Sequence, residues 1–162
     1  MIIEIDTREK PRAIKSIVEE FDRREIRHIS TKLYVGDYRS LENPLFIIDR
    51  KQSIGELAQN ATRDHDRFKR ELLRLDDIGG KMVVLVEQNR YKDVSGEWVT
   101  VKEIDDLMGW KNPHGVIDGI RVFRILHTWS YKHNVEFEFC RKHETGAKII
   151  ELLEGSGANA NG

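Results

Sequence analysis

The chain has 162 residues, of which 39% are hydrophobic and 34% charged, and its formal net charge is −1. This composition is typical of one globular domain with a heavily charged surface, and it excludes an intrinsically disordered chain. No apolar run approaches the ~20 residues that a membrane span needs. The N-terminus lacks a signal-peptide pattern and Cys140 has no second cysteine to pair with, so we expect an intracellular protein.

Hydrophobic periodicity divides the chain into alternating strands and helices. The predicted elements are, in chain order, a strand at 2–6, a helix at 14–21, strands at 28–33, 34–41 and 45–51, a helical stretch at 53–75 that breaks near residue 62, a strand at 81–87, a short helix at 100–108 that starts from a capping box at residues 100 and 103, a helix at 118–133, a strand at 135–140 and a helix at 145–154. This order predicts an α/β (α+β) fold with a central mixed β-sheet flanked by helices.

The predicted domain covers residues 1–154, because no linker or internal repeat interrupts the pattern. Gly155 stands where a glycine typically stops a helix. Residues 155–162 read GSGANANG, a small and polar composition that predicts a flexible C-terminal tail.

The charged end of the central strand gives the first chemical signal. Successive side chains of a strand point to opposite faces, so Asp49 and Lys51 share one face and Arg50 points away. Asp37, at the corner of the neighbouring hairpin, can approach the same point. Two carboxylates and a backbone carbonyl suit Mg²⁺ or Mn²⁺, and a lysine beside them can orient water or offset charge on a phosphoryl group. Taken alone, the Asp-x-Lys pattern is more often a structural ion pair.

Four short motifs follow one another on the expected elements. They are residues 5–9 (IDTRE), 35–38 (VGDY), 48–51 (IDRK) and 66–68 (DRF), with 83–87 (VVLVE) as a buried strand after them. In this combination, residues 2–153 resemble the nuclease domain of XPF-type structure-specific endonucleases, which have the restriction-endonuclease-like PD-(D/E)xK fold. The compact form of the chain resembles small phage or bacterial members of this family.

This resemblance implies a metal-dependent DNA endonuclease and a role for each matching residue. Asp37 and Asp49 would be ligands of Mg²⁺ or Mn²⁺, and the Arg50 backbone carbonyl another. Lys51 would be the catalytic lysine.

Three further positions of the family pattern lie near the expected metal, and a fourth lies on the following helix. Asp6 and Glu9 would each act as a metal ligand, as a partner of a ligand, or in positioning water. Arg8 would hold a carboxylate or the scissile phosphate, and Arg67 would contact the DNA backbone.

The sequence departs from the family pattern at three points. Asp49 replaces the glutamate of the E-R-K motif. Gly55 stands at the position of a later family aspartate, which leaves the role of its neighbour Glu56 open. The tandem helix-hairpin-helix domain that usually follows the nuclease domain is not found in these 162 residues.

Four arginines of the helical stretch 53–75 are spaced i, i+4, i+7 and i+11, which predicts a continuous basic stripe for the DNA backbone. They are Arg63, Arg67, Arg70 and Arg74. The alternative is an exposed face on which these arginines pair with the acids of the same stretch. For the aromatic residues, we expect Trp110, Trp129, Tyr131 and Phe137 to pack in the core, whereas Trp98 and Tyr91 are candidates for a DNA-facing loop.

The leading hypothesis is an endonuclease that acts on branched or flapped DNA in repair, recombination or phage DNA processing. Two alternatives remain at this point: a non-catalytic DNA-binding scaffold of the same fold, and a Holliday-junction resolvase. Homodimerisation or a separate DNA-binding protein is the expected assembly, without a membrane partner. The expected location is the cytoplasm of a bacterium or infected host, or the nucleus of a eukaryote.

Overall fold

Across residues 1–113 and 115–160, which the computed structural model describes, the chain forms eight strands and five α-helices. The strands are β1 (Ile2–Asp6), β2 (Arg27–Thr31), β3 (Tyr38–Ser40), β4 (Phe46–Lys51), β5 (Lys81–Val86), β6 (Arg90–Lys92), β7 (Trp98–Thr100) and β8 (Val135–Phe139). The helices are α1 (Lys15–Arg23), α2 (Ile54–Ala61), α3 (His65–Ile78), α4 (Gly119–Lys132) and α5 (Thr145–Ala160). His114 and the end of the predicted tail, residues 161–162, lie outside the described residues.

Six of these strands form one mixed sheet in the order β2-β1-β3-β4-β5-β8, and β6 pairs with β7 in a separate hairpin. β4, β5 and β8 are parallel neighbours, whereas β3 is antiparallel to both β1 and β4. β1, β2, β4, β5 and β8 therefore all end at one edge of the sheet, formed by their carboxyl ends, and β3 starts there. The predicted mixed sheet is confirmed, and the residues that follow five of its strands lie at this edge.

Helices cover both faces of the sheet because β4 and β5 carry apolar side chains on both sides. Ile47 belongs to a hydrophobic cluster that includes residues of α2, α3 and α4, whereas Ile48 belongs to a second cluster with residues of α1 and α5. The break predicted near residue 62 separates α2 from α3. None of the described helices has the length and apolar character that crossing a membrane requires.

The segment between β5 and α4 differs from its prediction. A hairpin, β6–β7, replaces the predicted polar loop, and Thr100 is the last residue of β7 instead of a helix cap. The following 3₁₀ helix, Ile104–Leu107, is capped by Glu103, whose backbone N–H donates to the side chain of Asp106 over 3.1 Å. The cap therefore lies three residues later than predicted.

The stop predicted at Gly155 is wrong, since α5 continues to Ala160. Ser156 is buried, its hydroxyl donates to the Leu153 carbonyl over 2.7 Å, and its own carbonyl accepts from Asn43 over 3.4 Å. These bonds favour the helical backbone beyond the glycine. The division into a domain and a flexible tail at residue 154 stays a prediction.

The burial of two aromatic residues, Tyr131 and Tyr91, differs from the prediction. Trp110 and Trp129 are buried as expected, but Tyr131 is 89% exposed on α4, so its placement in the core is wrong. Tyr91 is also misplaced by the prediction: it is buried, and its hydroxyl donates to the Asp106 carbonyl over 2.6 Å. Trp98 is exposed, as predicted.

Candidate active site

The alternation predicted for the end of β4 is observed. Lys51 Nζ lies 5.2 Å from the centre of the Phe68 ring on α3, so Lys51 faces the α2–α3 side. Asp49 shares that side, and its Oδ2 lies 3.0 Å from Lys51 Nζ. The Arg50 side chain points to the opposite face, where it contacts Glu9.

A left-handed residue directs Asp37 to the same point. Gly36 has φ 71°, and a Cβ built there would overlap Ile47 Cγ2, so only glycine fits without strain. The backbone of Asp37 then bridges two strands: its N–H donates to Ile48 over 2.9 Å, and its carbonyl accepts from Asp6 over 2.8 Å. Asp37, directly before the short strand β3, is thus held beside β4.

Asp37 and Asp49 form a close pair of carboxylates that share one lysine, Lys51. Desolvation, followed by the charges of Asp49 and Glu9, raises the pKa of Asp37 well above its ordinary value. Asp49 Oδ2 is buried and is ion-paired to Lys51 Nζ over 3.0 Å. Two neighbouring carboxylates beside a single lysine carry an excess of negative charge, which a bound cation would balance.

These residues fit a divalent cation that prefers oxygen ligands. The Arg50 N–H donates to Asp37 Oδ2 over 2.8 Å, and the N–H and C=O of a strand residue point to the same side. The Arg50 carbonyl is therefore directed toward the side of Asp37. Within the described residues, 1–113 and 115–160, no group of three His, Cys, Asp or Glu side chains is arranged to hold a metal ion. The protein would thus supply two carboxylates and one carbonyl, and water the remaining ligands.

Lys51 carries a positive charge in this site. Burial opposes that charge, but the carboxylate of Asp49, with Asp37 and Glu56 further away, raises the pKa of Lys51 above its ordinary value. A side chain that stays protonated is an electrostatic and hydrogen-bonding group, and it does not act as a general base at neutral pH.

Asp6 is placed beside this site, but both of its carboxylate oxygens already have partners. Oδ1 accepts from the Leu33 N–H over 2.9 Å, and Oδ2 accepts from Arg8 Nε over 2.6 Å. The Asp6 side chain is fully buried, whereas Arg8 is 60% exposed. These bonds favour a positioning role for Asp6 over direct metal ligation, and they leave Arg8 at the surface of the groove.

Glu9 also lines the groove, but its carboxylate is bound in a buried ion-pair network. Arg50 donates to it through Nε over 2.8 Å and Nη2 over 2.9 Å, and donates through Nη1 to Glu87 over 2.6 Å. Burial opposes the charge of Arg50, but these two carboxylates raise its pKa above the ordinary value. The sequence interpretation assigned no role to Glu87. The signal for it is positional, because a residue directly after β5 must lie at the edge where β4 ends.

Two more acids line the groove, and both have structural partners. Glu56 accepts from the Gln52 N–H over 2.7 Å and so caps the start of α2. Glu71 accepts from the Gly36 N–H over 2.7 Å and pairs with Arg74. Glu71, which the sequence interpretation placed only among the acids of the helical stretch, therefore holds the turn that carries Asp37.

The predicted arginine stripe is only partly continuous. Arg63 lies in the turn before α3, so its placement on one helix with the others is wrong. Arg70 is exposed on α3, whereas Arg67 and Arg74 line a groove of about 590 Å³ together with Asp37, Asp49, Lys51 and Arg8. The break between α2 and α3 is the physical reason for the interruption.

Asp37→Asn is expected to stabilise the metal-free protein near neutral pH. The folded-state pKa of Asp37 is raised above its unfolded value, so ionisation of this carboxyl destabilises the fold as pH rises through that interval. Melting temperatures in EDTA from about pH 4 to about pH 8 should show a difference that is small in acid and grows toward neutrality. The exposed Asp77→Asn is the matched control. A lower melting temperature for Asp37→Asn than for the wild type at neutral pH would contradict this account.

A family model and two solved structures match most of the chain. Residues 5–153 match the model of the ERCC4 domain family. XPF from Aeropyrum pernix has a TM-score of 0.66 and 17% identity, over 96% of this chain and 65% of that chain. The structure of XPF from Aeropyrum pernix in complex with DNA has a TM-score of 0.65 and 17% identity, over 98% and 66% of the two chains. No curated protein matches the chain.

The chain thus spans just under two thirds of the length of the XPF chains, and at 17% identity their likeness concerns the fold. The family match covers the motifs at residues 5–9, 35–38, 48–51, 66–68 and 83–87, and the resemblance to the XPF-type nuclease domain is confirmed. From residue 5 to residue 153, the chain belongs to the ERCC4 domain family.

Proposed function

We propose that the protein is a Mg²⁺- or Mn²⁺-dependent endonuclease that hydrolyses phosphodiester bonds of branched or flapped DNA. The observation that carries this proposal is the convergence of Asp37, Asp49 and Lys51 at one sheet edge, inside a groove that also contains Arg8 and Arg67. A non-catalytic scaffold has no need of a carboxylate pair that desolvation and like charge make costly.

Asp37, Asp49 and the Arg50 carbonyl would hold the divalent cation. Such an ion lowers the pKa of a bound water and offsets charge on phosphoryl oxygens. Lys51, held beside Asp49 with its Nζ over the Phe68 ring, directs a permanent positive charge toward the same point. That ammonium can hold an attacking water by hydrogen bonding and stabilise the developing negative charge of the phosphorane.

The basic residues of the groove are suited to the DNA backbone. Arg8 and Arg67 are exposed and Arg74 is half-buried, and Arg8 and Arg74 are each oriented by a carboxylate, Asp6 and Glu71 respectively. Guanidinium groups bind phosphate in this way without reading sequence. The complex of Aeropyrum pernix XPF with DNA supports a nucleic-acid ligand for this fold. Dimerisation, a separate DNA-binding protein and a role in repair, recombination or phage DNA processing belong to the same proposal.

The experiment is cleavage of end-labelled flap, fork, four-way-junction and linear duplex DNA with Mg²⁺, Mn²⁺ or EDTA. We expect cuts near the branch with either metal and none in EDTA. Asp49→Asn keeps the size of the side chain but removes a charge from the metal site, so it should abolish cleavage. Asp66→Asn, with an exposed carboxyl on α3, is the matched control and should cleave like the wild type.

Other outcomes decide between the alternatives. Binding of all four DNAs without cleavage in either metal would favour the scaffold and overturn the enzyme. Paired, symmetric cuts confined to the four-way junction would favour a resolvase. Cleavage by Asp49→Asn at the wild-type rate would contradict the assignment of the metal ligands.

A further inference from the structure

The β6–β7 hairpin presents an aromatic and basic face to solvent. Lys92 pairs across the strands with Trp98, and Arg90 pairs with Thr100, so all four side chains lie on the same face. The Arg90 guanidinium lies 4.3 Å from the centre of the Trp98 ring, and Lys92 Nζ lies 5.1 Å from it. Trp98 is nevertheless 57% exposed. A large flat ring is thus held at the surface between two cations.

The opposite face of the hairpin anchors it to the core. Tyr91 is buried with its hydroxyl bonded to the Asp106 carbonyl, and Val99 packs against the α2–α4 hydrophobic cluster. The backbone of Val101 donates to the Asn89 carbonyl over 2.7 Å, which closes the base of the hairpin. The buried side of the hairpin therefore fixes the orientation of its outer face. This packing does not require an aromatic residue on the outer face.

No acidic side chain of the hairpin competes for these cations. Asp93, at the turn, accepts from the backbone N–H groups of Ser95 over 2.9 Å and Glu97 over 3.0 Å. Glu97 precedes Trp98 directly, so the alternation of a strand directs its side chain to the other face. The face that carries Trp98 is positive, and its charge complements phosphate.

A basic cavity continues this face. Arg90 also lines a cavity of about 410 Å³ with Arg141, Lys142 and His143, which follow β8. Glu87 lines the cavity as well, but its carboxylate is neutralised by Arg50. Glu144, just after this segment, accepts from the Arg141 backbone N–H over 2.9 Å. Arg90 is common to both features, so the hairpin face and the cavity form one continuous surface.

This surface lies at the same edge of the sheet as the candidate active site. The N–H of Glu87 donates to the Lys51 carbonyl over 2.8 Å, and Arg90 follows three residues later, within roughly 10 Å along the chain. Gln88 accepts from the Ile54 N–H over 2.9 Å and donates to the Arg90 carbonyl over 2.9 Å. The hairpin is thereby tied to the first residue of α2, just beyond Lys51.

We infer that Trp98, Arg90 and the segment 141–143 form a binding site for an unpaired nucleic-acid strand, with a base stacked at Trp98 and its phosphates over the basic cavity. Unpaired bases stack on aromatic rings and guanidinium planes, whereas a duplex keeps its bases inside. The inference rests on the proposed function for the identity of the ligand as DNA, and it assigns the unpaired arm of that substrate to a specific surface.

The test uses the metal-free protein in EDTA, so that cleavage plays no part. Trp110 and Trp129 are only 6% and 4% exposed, so quenching of tryptophan fluorescence by a short oligothymidylate reports mainly on Trp98. We expect quenching by the oligothymidylate and little by a blunt duplex of the same length. Binding is measured in parallel by the anisotropy of a labelled oligothymidylate.

Variants separate stacking from folding. Trp98→Leu should weaken oligothymidylate binding roughly tenfold, whereas Trp98→Phe should lose the quenching but retain most of the affinity, because it keeps a flat ring. Tyr131→Ala removes an even more exposed aromatic residue, from α4, and is the matched control, with unchanged affinity. Arg141→Gln with Lys142→Gln should reduce the dependence of log affinity on log salt by about 0.7 per lost phosphate contact.

The two proposals fail in different ways. Unchanged affinity and unchanged quenching in Trp98→Leu would overturn this inference, even if the wild type cleaves branched DNA. Strong quenching that Trp98→Phe removes, in a protein that cleaves no DNA with either metal, would support this site and overturn the proposed enzyme. Equal loss of affinity for duplex and oligothymidylate in Trp98→Leu would also overturn the inference.

Discussion

Lys51→Met is expected to reduce metal-dependent cleavage by about 10²–10³-fold, with little change in affinity for the DNA substrate. Methionine retains the apolar stem that lies over Phe68, but it removes the ammonium beside Asp49. The loss should therefore appear in kcat, because the charge acts on the reacting phosphate and not on the distant DNA backbone. Single-turnover cleavage and filter binding in EDTA measure the two effects separately.

Lys69→Met is the matched control for this substitution. Lys69 is exposed on the neighbouring helix α3, so the same change there should leave the cleavage rate close to that of the wild type. A Lys51→Met protein that cleaves as fast as Lys69→Met would remove Lys51 from the catalytic site. A loss of DNA affinity with an unchanged single-turnover rate would instead make it a binding residue.

Arg50→Met is expected to give the largest loss of stability, about 3–5 kcal/mol. The Arg50 guanidinium is buried and bonded to Glu9 and Glu87, so its removal leaves two carboxylates without a counter-charge in the interior. Urea denaturation measures the change through the midpoint at constant slope. The triple variant Arg50→Met, Glu9→Gln, Glu87→Gln should recover much of the loss, because it removes the buried charges together.

An exposed ion pair provides the comparison for Arg50→Met. Arg23 pairs with Glu20 on α1 with 67% of its side chain exposed, and Arg23→Met should leave the urea midpoint almost unchanged. Equal destabilisation by Arg23→Met and Arg50→Met would show that burial of the network contributes little. Failure of the triple variant to recover stability would assign the loss to packing of the arginine side chain.

Local patterns of the sequence are sufficient for the order of the main elements and for the two faces of β4. The strict alternation of a strand places Asp49 and Lys51 together and Arg50 apart, and the structure has this arrangement. Sequence reasoning could also place Asp37 near them, since a hairpin corner next to a central strand leaves few other positions.

Local sequence patterns do not predict which residues far apart in the chain will contact each other. Glu87 meets Arg50 only through the pairing of β4 with β5, and Glu71 supports Gly36 across 35 positions of the chain. The β6–β7 hairpin escapes prediction because strands of three residues carry too little periodicity. Gly155 misleads because contacts of Ser156 outweigh the helix-breaking tendency of glycine.

Arg50 makes hydrogen bonds on both faces of the sheet. Its backbone N–H holds Asp37 in the groove, while its side chain is clamped by Glu9 and Glu87 on the side of α1 and α5. The placement of the Asp37 carboxylate beside β4 thus depends on an ion-pair network that is itself buried. Under the proposed function, a substitution of Glu87, which does not line the groove, would therefore alter cleavage through Arg50.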